Sequence, residues 1–282
     1  MCLIAFALGV DPKRPLLLAS NRDEYFDRPT LPMQRWISPR GRLLISGRDA
    51  RAGGTWLGLS EHGRVAWLTN VREPQAREAA RSRGELTLDW LEGDQSAADF
   101  VAALDPLAHQ GFNLVLGDLD QQRWHWVSNR CPTPQGLIAH IQQRSLAPGV
   151  YALSNAFLDT AWPKTIKLRE QLARTLEPPL EPDLLRERLW SALADAETAP
   201  TEQLPRTGVS PEVERALSAV RVRFADGRYG TRSSTLMLIE RGTAGRWQAD
   251  IEERSWDPQS LGHSRREVLL GPGQHTESAP RP

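Results

Sequence analysis

The chain has 282 residues, 40% of them hydrophobic and 25% charged, with 35 basic side chains against 35 acidic ones and a net charge of zero. That balance argues against a nucleic-acid or anionic-membrane binder, and no apolar run approaches the roughly 18 residues of a membrane span. Two cysteines, Cys2 and Cys131, make no disulfide framework and too few soft ligands for a structural zinc site.

The N-terminus has no basic region ahead of a long apolar core, so no secretory leader is expected and a reducing, cytoplasmic setting is. Cys2 to Leu8 and Leu16 to Ser20 read as apolar strands joined by VDPKRP. Thr55 to Ser60 and Val65 to Thr69 flank Glu61-His62-Gly63-Arg64 as a β-hairpin. Ser82 to Leu91 and Ser96 to Leu104 have helical apolar spacing, each behind an N-cap serine. Phe112 to Leu116 and Trp124 to Val127 form a second hairpin, and Tyr151 to Ser154 one more strand. Trp162 to Leu176, Pro182 to Leu193 and Pro211 to Val220 read as helices. Thr231 to Glu240 and Trp247 to Glu252 then read as a terminal hairpin, followed by a flexible tail, GPGQHTESAPRP, at 271–282. Strands, helices, then strands predict one α+β domain over 1–270 with mainly antiparallel sheets.

Cysteine at position 2 has two readings. It packs as the first residue of a buried strand, or it is a nucleophile unmasked when Met1 is removed, as methionine aminopeptidases do before a small residue. A freed Cys2 carries a thiol and an α-amine with ordinary pKa values of about 8.5 and about 7.7–8.0. Moving the proton from sulfur to nitrogen costs roughly 1 kcal/mol, so no histidine is needed.

A hairpin closing near Pro12 pairs Cys2 with residue 22, give or take two. A residue sum of 25 sets Asp23 opposite Cys2. On that reading Asn21 and Asp23 face the thiol and amine, while Arg22 and Glu24 turn away as an ion pair. Gly53-Gly54 read as a tight turn or as room for a ligand to approach the backbone. Trp56 reads as core or pocket wall. The six histidines show no metal-ligand spacing, and no metal is expected.

The ordered set Met1-Cys2, Asn21-Arg22-Asp23-Glu24 with Arg28-Pro29 after it, Gly53-Gly54-Thr55-Trp56-Leu57-Gly58, Thr69-Asn70-Val71-Arg72, Ser82-Arg83-Gly84, Gly111-Phe112-Asn113, Ser128-Asn129-Arg130, Leu153-Ser154-Asn155 and Tyr229-Gly230-Thr231-Arg232-Ser233-Ser234 resembles the NRDE family. That family is also called the transport and Golgi organization protein 2 family. The resemblance runs from Met1 to about Trp256. It implies a four-layer αββα sandwich of the N-terminal-nucleophile hydrolase type, in the cysteine branch that includes bile salt hydrolases and penicillin V acylases. By resemblance the catalytic set is Cys2, Asp23, Asn70, Asn155 and Arg232. Substrate contacts are expected from Asn21, Arg22, Glu24, Gly54, Thr55 and Trp56. One departure stands out: Ser20 occupies the place of those hydrolases' first arginine, and Arg22 follows two residues later.

Two functions follow as expectations. One is hydrolysis of an amide, or a thioester, of a small amphipathic molecule by Cys2, with no cofactor required. The other, implied by the family, is binding without turnover of haem or an acyl-CoA-type lipid.

Overall fold

The computed structural model describes residues 2–73, 79–178, 180–242, 246–257 and 261–271. Met1 and, apart from Gly271, the expected tail lie outside these residues. The described elements are β1 (Cys2–Asp11), β2 (Arg14–Tyr25), β3 (Thr30–Ile37), β4 (Leu43–Asp49), β5 (Leu57–Ser60) and β6 (Arg64–Asn70). Helices α1 (Arg83–Glu92) and α2 (Ala97–Ala102) follow. Next come β7 (Phe112–Asp118), β8 (Arg123–Thr133), β9 (Gly136–Ser145) and β10 (Gly149–Leu153). Then come α3 (Pro163–Arg174), α4 (Pro182–Leu193) and α5 (Pro211–Ala216), and last β11 (Tyr229–Arg241), β12 (Trp247–Trp256) and β13 (Leu261–Leu270).

Two antiparallel sheets result. One has the order β10-β1-β2-β11-β12-β13, the other β3-β4-β5-β6-β7-β8-β9. Between them lies one apolar cluster, with Ile4, Phe6, Leu8, Leu16, Leu18, Met237 and Ile251 from the first sheet and Leu57, Leu59, Val65, Trp67, Val115 and Trp126 from the second. Helices α3 and α4 cover the outer face of the first sheet through Leu168, Leu172, Leu185 and Leu189. Helices α1 and α2 cover the second through Leu86, Trp90, Phe100 and Val101. This is the αββα sandwich. The hairpin β1–β2 is apolar on both faces because both are covered. Ile4, Phe6, Leu8, Leu16 and Leu18 point to the facing sheet, while Leu3, Ala5, Ala7, Leu17 and Ala19 lie under the helices.

Four strands carry no clear signal in the sequence. β3, β9 and β13 are edge strands, and β9 is exposed along most of its length. The fourth, β4, holds Gly47, whose missing Cβ would lie 2.4 Å from the Trp56 ring. The expected terminal hairpin β11–β12 is therefore not terminal, since β13 pairs with β12.

A bulge fixes the faces of the first hairpin. Asp11 pairs with Arg14, a residue sum of 25, but from Leu8 onward the sum is 24, with Leu8 on Leu16 and Cys2 on Arg22. Gly9, at φ +59°, sits in the interruption, where a left-handed glycine fits a β-bulge. One extra residue transfers every side chain of the strand to the other face.

Candidate active site at the mouth of the first hairpin

The bulge reverses the expected assignment. Directly opposed residues share a face, so Cys2 shares its face with Arg22, and Asn21 and Asp23 point to the helix layer. Asn21 is fully buried; its amide donates to the carbonyls of Leu193 and Val220, each at 2.9 Å, and its oxygen accepts from the Ser234 hydroxyl at 2.5 Å. It holds the end of α4 to the sheet and has no access to a substrate. Arg22 and Glu24, expected to turn away, line the cavity that Cys2 opens on.

That cavity measures about 110 Å3. Its walls come from strand ends and one helix terminus: Cys2 on β1, Arg22 to Glu24 on β2, Asp49 on β4, Leu68 and Asn70 on β6, and Ser82 to Gly84 at the start of α1. Arg28, Gly54, Thr55 and Trp56 complete it. The lining is dominated by charge. Arg22 and Arg28 each approach Glu24 at 3.9 Å, and Arg28 binds Asp49 at 2.7 Å. Burial pushes the Asp49 carboxyl up, but bonds from Arg28 and from the backbone N–H groups of Ala52 and Arg51 outweigh it and hold it below the usual carboxylate range. Arg83, at the first position of α1, lies under burial that pulls its guanidinium down.

Burial raises the Cys2 thiol above its ordinary value; Asp23 and Glu24 add to the effect and Arg22 opposes it. No histidine is among the described residues that line the cavity. Asp23 lies at the back, its Oδ1 accepting from the Thr231 hydroxyl at 2.7 Å and its Oδ2 at 4.0 Å from Nζ of Lys164. Both charged groups are buried; burial raises Asp23 and lowers Lys164, and their mutual attraction only partly offsets this.

Asn70 lines the cavity while its backbone carbonyl is clamped. Asn155 donates from its amide to the Asn70 carbonyl at 3.0 Å, and the Asn155 carbonyl accepts from the N–H of Arg72 at 2.7 Å. Ser154 donates to the Cys2 carbonyl at 3.0 Å, so the end of β10 ties the two cavity strands together. Asn155 itself stands behind Asn70 and does not line the cavity. Nor does Arg232, which the sequence placed beside the amine and thiol. It is the bulged residue of β11, donating to the carbonyls of Tyr25 (3.1 Å) and Arg28. Its position braces the β2–β3 corner.

Gly54 is the close approach expected, but to protein: a Cβ there would lie 2.3 Å from the Gly84 carbonyl carbon. Thr55 donates its hydroxyl to the Leu57 carbonyl at 3.1 Å, and its N–H bonds the Gly84 carbonyl. Trp56 is both core and wall, with the Arg22 guanidinium 4.2 Å from its ring centroid.

The sequence reading missed Arg28, Asp49, Arg83 and Lys164. Two had a signal. Lys164 falls in register with Leu168 and Leu172, so a lysine occupies the apolar stripe of α3. Arg83 places a cation at a helix N-terminus, where the macrodipole disfavours it unless it is engaged elsewhere. Among the described residues, no three His, Cys, Asp or Glu are placed to hold a metal ion, and no helix is long and apolar enough to cross a membrane.

Comparison with known proteins agrees with this frame. Among solved structures, a conjugated bile acid hydrolase from Clostridium perfringens superposes with a TM-score of 0.51 over 96% of each chain at 9% identity, a likeness of fold alone. The Transport and Golgi organization protein 2 homolog of Bos taurus is 33% identical across 85% of this chain and 89% of its own length. The Homo sapiens homolog is 31% identical across 93% and 96%. The family model described as Transport and Golgi organisation 2 matches residues 1–257, so the chain belongs to that family.

Proposed function

We propose that this protein is a cysteine hydrolase of the N-terminal-nucleophile type that cleaves an amide, or a thioester, after Met1 has been removed. The observation that carries the reading is the setting of Cys2: a buried thiol, raised by that burial, opening on a polar cavity with no histidine among its described lining residues. Such a thiol is protonated at neutral pH and needs a base. The α-amine released on Cys2 itself is the base at hand.

The steps balance as follows. The Cys2 thiol gives its proton to the α-amine and the sulfur bonds the substrate carbonyl carbon. The Asn70 amide donates to the resulting oxyanion. The α-ammonium returns the proton to the leaving nitrogen as the carbon–nitrogen bond breaks, leaving an acyl thioester on Cys2. Water, deprotonated by the amine, attacks that thioester and the thiol is restored. Asp23 orients the α-ammonium, Asn155 positions Asn70, and the three arginines of the cavity orient the substrate. The hydrolase of like fold supports the reading by analogy only. The relatives' names speak of transport and Golgi organization and assign no reaction.

The second expectation, binding of haem or an acyl-CoA, finds no support in this cavity. About 110 Å3 walled by charged groups falls well short of the roughly 300–1,000 Å3 of ordinary ligand pockets.

The test is intact mass followed by turnover. Protein purified from cells should lack Met1. On a panel of acyl amides and thioesters it should form a Cys2 adduct, with rates falling roughly 10³-fold or more in Cys2→Ala and about 10²–10³-fold in Asn70→Ala. Full retention of Met1, or equal rates in Cys2→Ala, would overturn the reading.

A further inference from the structure

A second cavity, of about 190 Å3, adjoins the first; Arg22 and Trp56 line both. The two side chains form the partition, with the guanidinium stacked on the indole at 4.2 Å. Arg22 is only 5% exposed. Its polar contacts among the described residues are long: 3.4 Å to the Thr30 hydroxyl and 3.9 Å to Glu24. Glu24 is shared, since it also accepts from the Tyr25 N–H at 2.9 Å and approaches Arg28 at 3.9 Å. A guanidinium carries five donors in a planar fork. Here the fork is stacked on an indole and meets the protein around it only through these long contacts.

The charge balance differs between the two cavities. The first sets Arg22, Arg28 and Arg83 against Asp23, Glu24 and Asp49. The second sets Arg22, Arg232 and Arg265 against the single carboxylate of Glu253. That carboxylate already accepts from the Met33 N–H at 2.7 Å, and burial raises its pKa, weakening its claim to be the anion the arginines await.

We propose that the second cavity is a subsite for an oxyanion group, a carboxylate or a phosphate, with Arg22 and Arg265 as its binding donors and Trp56 as its floor. As a subsite of the molecule that Cys2 attacks, it rests on the hydrolase reading and narrows it: the substrate carries an anionic group one side chain away from its scissile bond. As an anion site, it stands on the arginines alone. Planar oxyanions match the guanidinium fork bidentately. Stacking on the Trp56 ring engages the face of the guanidinium and not its N–H donors.

The test separates the two layers by using Cys2→Ala protein, which cannot turn over. Succinate and inorganic phosphate are titrated by isothermal calorimetry into this protein and into versions carrying Arg265→Gln, Arg22→Gln or, as a charge control on the far side of the second sheet, Arg123→Gln. Arg265 is exposed, so its substitution leaves the fold intact and decides the matter even if Arg22→Gln misfolds. Saturable binding in the millimolar range is expected. It should weaken about tenfold in Arg265→Gln and in folded Arg22→Gln and persist in Arg123→Gln. Tighter succinate assigns a carboxylate, tighter phosphate a phosphate. Failure of both probes to saturate, or equal loss in Arg123→Gln, overturns the subsite and leaves the Cys2 adduct test untouched.

Discussion

Asn21 and Arg22 are adjacent in the chain and opposite in task. The register of their strand was legible: a connector centred near Pro12 does place residue 22 against Cys2. The face was not, because it depends on whether one residue bulges, and Gly9-Val10 resembles many ordinary strand ends. With no bulge the sum of 25 seen at Asp11–Arg14 would have continued, and Asp23 would have faced Cys2. The bulge hands the cavity to Arg22 and assigns Asn21 to the helix layer. Asn21→Ala therefore tests structure, not catalysis. It removes two buried donors and leaves the carbonyls of Leu193 and Val220 unmatched by their present partner, which should cost about 2–4 kcal/mol of stability. A lower denaturant midpoint with unchanged slope would be the signature, together with an unchanged alkylation rate of Cys2 in the folded protein. An unchanged midpoint with loss of Cys2 reactivity would return Asn21 to the site.

At the level of elements, the helices and the doubly covered strands announce themselves. Ser82 and Glu85 form a complete capping box at α1, and the even positions of β1 read as one apolar face. The edge strands β3, β9 and β13 do not, because a strand with one neighbour and one wet flank needs no apolar alternation. The cavity is assembled where elements end, and a sequence shows where an element ends better than what that end touches. The pairing of Gly54 with Gly84 is such a case: the Gly84 backbone occupies the space of a Gly54 side chain, and a Cβ on Gly84 would press on the Thr55 backbone at 3.2 Å. Gly54→Ala would press a Cβ against backbone at 2.3 Å from the Gly84 carbonyl carbon and 2.8 Å from the Glu85 nitrogen, with no side chain able to rotate away. Displacement of the first turn of α1 should cost about 1–3 kcal/mol and move Arg83, changing the rate at which iodoacetamide alkylates Cys2. Gly53→Ala is the control. It is strained by φ +77° but meets nothing within 4 Å, so it should lower stability and spare the alkylation rate. Equal alkylation in both variants and the parent would remove α1 from the cavity wall.

Across the whole molecule, the two sheets meet through an apolar layer that ends at the two cavities, the second of them beside the contact of β12 with β3. There Glu253 of β12 reaches across to accept the Met33 N–H of β3 at 2.7 Å, a carboxylate joining sheet to sheet. Burial raises its pKa above the ordinary glutamate value, against bonds from Met33 and Ser233 and attraction from Arg22 and Arg265. The sign follows from linkage. A group that holds its proton more tightly when folded contributes stability that is fully present below the unfolded pKa, about 4.3, and lost as pH rises through the folded value. Glu253→Gln keeps an oxygen for Met33 and carries no charge. Its stability relative to the parent should therefore improve from about pH 4 upward and level off once the parent's carboxyl has ionised. Thermal unfolding of both proteins across this range measures the difference. Parallel curves would mean the carboxyl is not perturbed, and a Gln variant weaker at neutral pH would mean that the arginines around the cavity hold the ionised form. In that case Glu253, not an external anion, would be the partner of Arg22 and Arg265. The same variant thus probes the sheet contact and the anion subsite together: if that subsite takes an external anion, removing the carboxylate of Glu253 should tighten succinate or phosphate binding.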